Sequence, residues 1–200
     1  MLKKMIASLS LLSMASVSQA AGIDASLSNE TASFNYVFDS SRILQGGADI
    51  SVGAFYNDKK HRGQDADAIL AQAKFTVTGN MKGTQKRVSL SAGAKVLVGD
   101  IDISGADGNT AALAIGLKAA YLIPNQSTPM AAYVQAFVAP DITTFADAEN
   151  YREFGIGFEA EIAPSAKGYI GYRLMEVELD DVSGDIELDD NIHLGLVFTF

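Results

Sequence analysis

The feature that most limits what this chain can fold into is a two-residue alternation of apolar with small or polar side chains. From Arg87 to Val98 the even positions hold Val88, Leu90, Ala92, Ala94, Val96 and Val98, with Ser89, Ser91, Gly93 and Lys95 among the odd ones. From Arg152 to Ile162, Phe154, Ile156, Phe158, Ala160 and Ile162 alternate with Glu153, Gly155, Gly157, Glu159 and Glu161. Successive strand residues point to opposite faces, whereas a helix repeats every ~3.6 residues. The pattern therefore describes strands with one apolar face. It recurs over about Gly22–Ser28, Thr31–Phe38, Gly47–Asn57, Ala68–Gly79, Arg87–Val98, Ala111–Ile123, Met130–Ala139, Arg152–Ile162, Ala166–Val177 and Ile192–Phe200. Most of these segments match the ~9–11 residues of a tilted membrane-crossing strand and exceed the ~5–6 of an average strand.

The links between segments alternate in length. Long polar links fall at Leu179–Asp190, Pro140–Asn150, Gly99–Asn109 and Asp58–Asp67, and short ones at Ala163–Ser165, Pro124–Pro129 and Asn80–Lys86. Long outer loops and short periplasmic turns give outer-membrane barrels this rhythm. The N-terminal pair departs from it, with a short turn at Asn29-Glu30 and a longer linker at Asp39–Gly46. The reading is an all-β, closed antiparallel transmembrane barrel of ten strands. Eight strands with an N-terminal appendage is the alternative.

Alternation alone does not say which face is inside. A soluble periplasmic binding barrel would bury the apolar face and cover its outside with charge. Here the polar face is mostly Gly, Ser, Ala and Thr, which suits a narrow barrel interior where side chains share little space. Lys74, Lys95, Lys118 and Arg173 share that face with Glu153, Glu159 and Glu161. An unpaired enclosed charge costs several kcal/mol, on the order of 3–5, so these seven are expected to form a network across the lumen and fill it.

The ends agree with export. Lys3 and Lys4 precede an apolar stretch from Met5 to Met14, and Ser18-Gln19-Ala20 offers small residues for cleavage after Ala20. That is the layout of a signal peptide over 1–20, leaving 21–200 as the barrel. Removing two lysines takes the net charge from −9 to −11, which repels nucleic acid. With no Cys, the chain has neither disulfides nor thiolate metal sites. At the other end Ile192, Leu194, Leu196, Phe198 and Phe200 alternate up to the last residue, like the terminal strand that the barrel-assembly machinery recognises. There is no Trp, so an interfacial aromatic girdle falls to residues such as Tyr36, Tyr56, Tyr121, Tyr151, Tyr172 and Phe198.

The stretch Ala139-Pro140-Asp141, Phe145 and Tyr151-Arg152-Glu153, with Gly171-Tyr172-Arg173, Glu176 and Glu178, resembles the YfaZ family of outer-membrane proteins. The resemblance implies a Gram-negative outer-membrane barrel. It brings no reaction and no site residues.

Catalytic signals are weak. Triad chemistry needs a histidine base. His61 lies in the basic segment Lys59-Lys60-His61-Arg62, read as a solvated loop, and His193 faces inward with Leu194-Gly195 after it. Asp100-Ile101-Asp102-Ile103-Ser104-Gly105 opens like an EF-hand loop, but position 12 is Ala111 where a bidentate Glu is needed. Glu176, Glu178, Asp180, Asp181, Asp185, Glu187, Asp189 and Asp190 crowd the last loop. Such oxygens could hold Ca²⁺ or Mg²⁺ weakly, bridging to lipopolysaccharide phosphates, although a solvated acidic loop is the reading favoured. The chain is expected to be a non-enzymatic outer-membrane protein without a cofactor, displaying acidic loops and contacting lipid and lipopolysaccharide. A narrow porin-like channel is the runner-up.

Overall fold

The computed structural model describes residues 20–39, 48–61, 64–80, 87–103, 106–124, 128–180 and 184–200. Their strands are β1 (Ala20–Leu27), β2 (Thr31–Asp39), β3 (Ala48–His61), β4 (Gln64–Asn80), β5 (Val88–Ile103) and β6 (Ala106–Ile123). Next come β7 (Met130–Ala139), a short 3-10 turn (Asp141–Thr143), β8 (Thr144–Ala146), β9 (Ala148–Ala163), β10 (Ala166–Leu179) and β11 (Ile186–Thr199). Residues 1–19, which hold nearly all of the expected signal peptide, lie outside the described residues. No helix among the described residues is long and apolar enough to cross a membrane.

Ten strands close into an antiparallel barrel in the order β1, β2, β3, β4, β5, β6, β7, β9, β10, β11 and back to β1. The seam joins Gly22–Leu27 of β1 to Leu194–Thr199 of β11. Both N-terminal strands belong to the wall, since β1 pairs with β2 and β2 with β3, so the eight-strand alternative falls. The β1–β2 turn is short because Ser28 closes it. Its hydroxyl accepts the Thr31 N–H at 2.9 Å, and its own N–H donates to the Thr31 carbonyl at 2.8 Å.

Strands extend into three of the expected loops. β3 and β4 stay in register up to His61 opposite Gln64, and β5 and β6 up to Ile103 opposite Ala106. Lys59–His61 thus belongs to a strand, and Asp100–Ile103 is β strand rather than a calcium loop. β11 begins at Ile186, inside the expected last loop. The link after β7 contains β8, which pairs with Thr110–Ala112 of β6, beyond the stretch of β6 that β7 covers.

These extensions have a different polarity from the strands that carry them. In β10, Tyr169, Gly171 and Arg173 face inward and are followed by the buried Met175, Val177 and Leu179. On its outer face Ile170, Tyr172 and Leu174 give way to Glu176 and Glu178. In β5 the outward Val96 and Val98 yield to Asp100 and Asp102, while the inward Lys95 yields to Leu97 and Ile101. At the end that carries the loops, then, the barrel has an apolar interior and an acidic exterior. Toward the chain termini the outside is apolar and the inside polar.

The apolar exterior is a belt. Leu117 is 67 % exposed and Leu194 63 %, and Phe34, Phe75, Leu90, Val134, Ile156 and Ile170 face out from other strands. Along β5 the outward apolar run Val88–Val98 rises roughly 25 Å at the usual strand tilt, the height of an outer-membrane apolar band. Of the expected girdle, Tyr56, Tyr121 and Phe198 are exposed on this belt. Tyr151 is not in it. It shares inward parity with Glu153 and is 2 % exposed.

Candidate functional site

The lumen has two compartments. At the loop end Phe55, Leu70, Leu97, Phe137, Tyr151, Met175 and Leu188, from seven strands, pack into one cluster with no member more than 3 % exposed. These side chains fill the lumen at that end with apolar packing. Beneath it lies a polar chamber of about 160 Å³, lined by Asp24, Asn35, Gln72, Lys74, Lys95, Lys118, Tyr133, Gln135, Glu153, Glu159, Tyr169, Arg173 and His193 among others.

Six of the seven expected lumen charges line this chamber, and Glu161 does not. Glu161 stands nearer the turn end, opposite Lys167 on β10. Lys95 Nζ donates to Glu153 Oε2 at 2.6 Å, with side chains 6 % and 5 % exposed. Tyr151 Oη donates to the same oxygen at 2.7 Å, and Gln135 Nε2 donates to Oε1 at 3.2 Å. The carboxylate thus has both oxygens satisfied, as an enclosed charge requires. Lys118 Nζ reaches Glu159 Oε2 at 3.4 Å and lies 4.6 Å from the centre of the Tyr133 ring.

Arg173 takes a partner outside the seven charges expected in the lumen. Its Nε donates to Asp189 Oδ2 at 2.6 Å. The inward series His193, Asn191 continues to Asp189, but the crowd of acids around it reads as a loop. A register shift between β10 and β11 at this level puts Leu188 and Asp189 both inward, as a β-bulge does. Asn191 Nδ2 and Thr31 Oγ1 also donate to Asp189, at 3.2 and 3.4 Å. The acidic segment is therefore divided. Asp189 is buried, Glu176, Glu178, Glu187 and Asp190 face out, and Asp185 pairs with Arg152 at 3.0 Å. Asp181 lies outside the described residues. Among the described residues no three His, Asp or Glu gather as metal ligands. At the rim Glu149 has its carboxyl pushed above the usual range, first by a hydrogen bond with Asp180 and then by that group's charge.

Glycines make room for the inward aromatic rings of both compartments. Phe137 lies opposite Gly116, Tyr133 opposite Gly157 and Tyr169 opposite Gly195 in adjacent strands. A Cβ on Gly195 would stand 2.1 Å from Tyr169 Cζ, and one on Gly116 2.3 Å from Phe137 Cδ1. Tyr169 Oη then reaches Asp24 Oδ1 at 2.7 Å.

Exposure falls from the turn end toward the apolar cluster. Lys118 and Glu159 side chains are 34 % and 28 % exposed, while Arg173 and Asp189 are at 12 % and 0 %. The chamber is thus a blind pocket that admits water from the end holding the chain termini. His193 is inward and buried, its ring 5.7 Å from that of Tyr169, and its Nδ1 has no partner, so no serine hydroxyl is set against that nitrogen for activation. No protein-family model and no curated protein matches the chain.

Proposed function

We propose that this chain is an integral outer-membrane β-barrel protein, exported by a signal peptide over 1–20, with a structural or interaction role and a stoppered lumen. The observation that carries this reading is the belt of exposed Val, Leu, Ile and Phe around a polar interior. In water such a belt would aggregate, since soluble monomers rarely expose contiguous apolar patches beyond a few hundred Å². In hydrocarbon it is matched, and closure of the sheet gives each of the ten wall strands a hydrogen-bonded neighbour on both sides, as lipid demands. Above the belt the acidic outer rim would stand at the lipopolysaccharide headgroups. Ile192, Leu194, Leu196, Phe198 and Phe200 would serve as the signal to the assembly machinery. The resemblance to the YfaZ family points to the same location. The apolar cluster favours a stoppered barrel over a solute pore.

Fractionation tests the reading. The protein is expected in the outer-membrane fraction, migrating differently before and after boiling in SDS. Nitroxide labels at Leu117 and Ile156 should report a water-poor environment. Release with the periplasm, or labels as wet as those on a soluble protein, would refute it.

A further inference from the structure

Three groups that line the chamber have bonding capacity the protein leaves unused. Arg173 spends Nε on Asp189, but its Nη2 is buried without a partner. His193 is 6 % exposed and its Nδ1 has none either. Among the described residues no carboxylate pairs with Lys74. Buried polar atoms such as Arg173 Nη2 and His193 Nδ1 are rarely left so, because each loses its hydration and gains nothing in return.

The placement of Lys74 sharpens the point. It stands directly opposite Lys95 on the neighbouring strand, with both side chains turned into the lumen. Like charges opposite one another in a sheet destabilise it. Glu153 neutralises Lys95 but leaves Lys74 uncompensated, and Arg173 adds a second cation close enough to repel Lys95. Asp24, the chamber carboxylate without a cation, is held by the Tyr169 hydroxyl. The four cations around the chamber are matched in number by Asp24, Glu153, Glu159 and Asp189, but the residue directly opposite Lys74 is another cation, and Arg173 Nη2 and His193 Nδ1 have no partner. Water can fill such a space but cannot neutralise Lys74.

We propose that the chamber is a binding site for a small anion with a carboxylate or other oxyanion head. Lys74 supplies the counter-charge. Nη2 of Arg173 and an Nδ1–H of His193 supply directed hydrogen bonds. Charge-assisted bonds of this kind are short and strong where water is scarce. A volume of about 160 Å³ admits a small organic acid or an inorganic oxyanion. Entry is from the turn end, and the apolar cluster blocks exit on the other side. The site does not depend on the membrane reading, since the same groups would meet in any compartment.

Calorimetric titration of the full-length folded protein in detergent micelles tests this, with sodium acetate, inorganic phosphate and sodium chloride at matched ionic strength. Saturable heat is expected with at least one oxyanion. Tighter acetate identifies a carboxylate site, and tighter phosphate a tetrahedral one. Lys74→Gln and His193→Gln should each weaken binding by roughly tenfold or more while keeping the mobility shift on boiling. Absence of saturable heat in the unsubstituted protein overturns the proposal, whatever the variants do. So does binding unchanged in both variants.

Discussion

Lys95 and Glu153 face each other from β5 and β9, with β6 and β7 between them in the wall, at 2.6 Å and almost without water. A pair held this way costs more to break than it contributes. Lys95→Met strands a carboxylate, and Glu153→Leu an ammonium, so each single change should lower unfolding free energy by about 3–5 kcal/mol. The double change removes both charges and should cost less than the two added together. Urea unfolding from detergent or lipid, read by tryptophan-free tyrosine fluorescence, would show this as a coupling term, and strict additivity would contradict it. Period-two counting placed Lys74, Lys95, Lys118, Arg173 and the glutamates on the inner face. It could not say which carboxylate meets which cation, because that depends on register across the lumen. It also passed over Asp24, Tyr133, Gln135 and Tyr169, which share the parity but do not stand out as charge partners in a strand.

In the strands, glycine is the counterpart of each inward ring. Gly195→Val puts a side chain where Tyr169 lies, so the ring must leave and its bond to Asp24 must break. The cost of such overpacking is about 1–3 kcal/mol. Gly79, with nothing within 4 Å of an added Cβ, is the control, and Gly79→Ala should change stability by less than about 0.5 kcal/mol. Equal losses at both positions, measured by the temperature at which the SDS-resistant form is lost, would remove the ring-over-glycine account. Composition announced small residues for the lumen, but the pairing of rings with glycines needs register. The loop-end strands were misread for a related reason. Asp100-Ile101-Asp102 alternates like any strand, yet its charges face outward and its isoleucine inward, the reverse of the pattern sought. Acid-rich sequence and reversed polarity together looked like loop.

For the whole molecule, strand length and alternation are enough to read a closed ten-stranded barrel, but not the apolar cluster, because Phe55, Leu70, Leu97, Phe137 and Met175 sit at inward positions of segments read as having a polar interior. On the stoppered-barrel reading proposed above, that cluster blocks conduction. In planar bilayers the intact protein should show no large steady conductance. Replacing Phe55, Leu97 and Met175 together with serine should open a path and raise conductance well above that of the unsubstituted protein. A steady pore in the unsubstituted protein would contradict the stopper. The reversal of polarity along each strand has one more consequence. Inner and outer faces change character within a few residues of each other, so the barrel carries its own waterline. In the membrane proposed for it, raising that line by a single pleat would lift Val98 and Leu174 out of oil, and lowering it by one would drown Asp100 and Glu176. The depth at which such a barrel floats would then be written into the strands themselves.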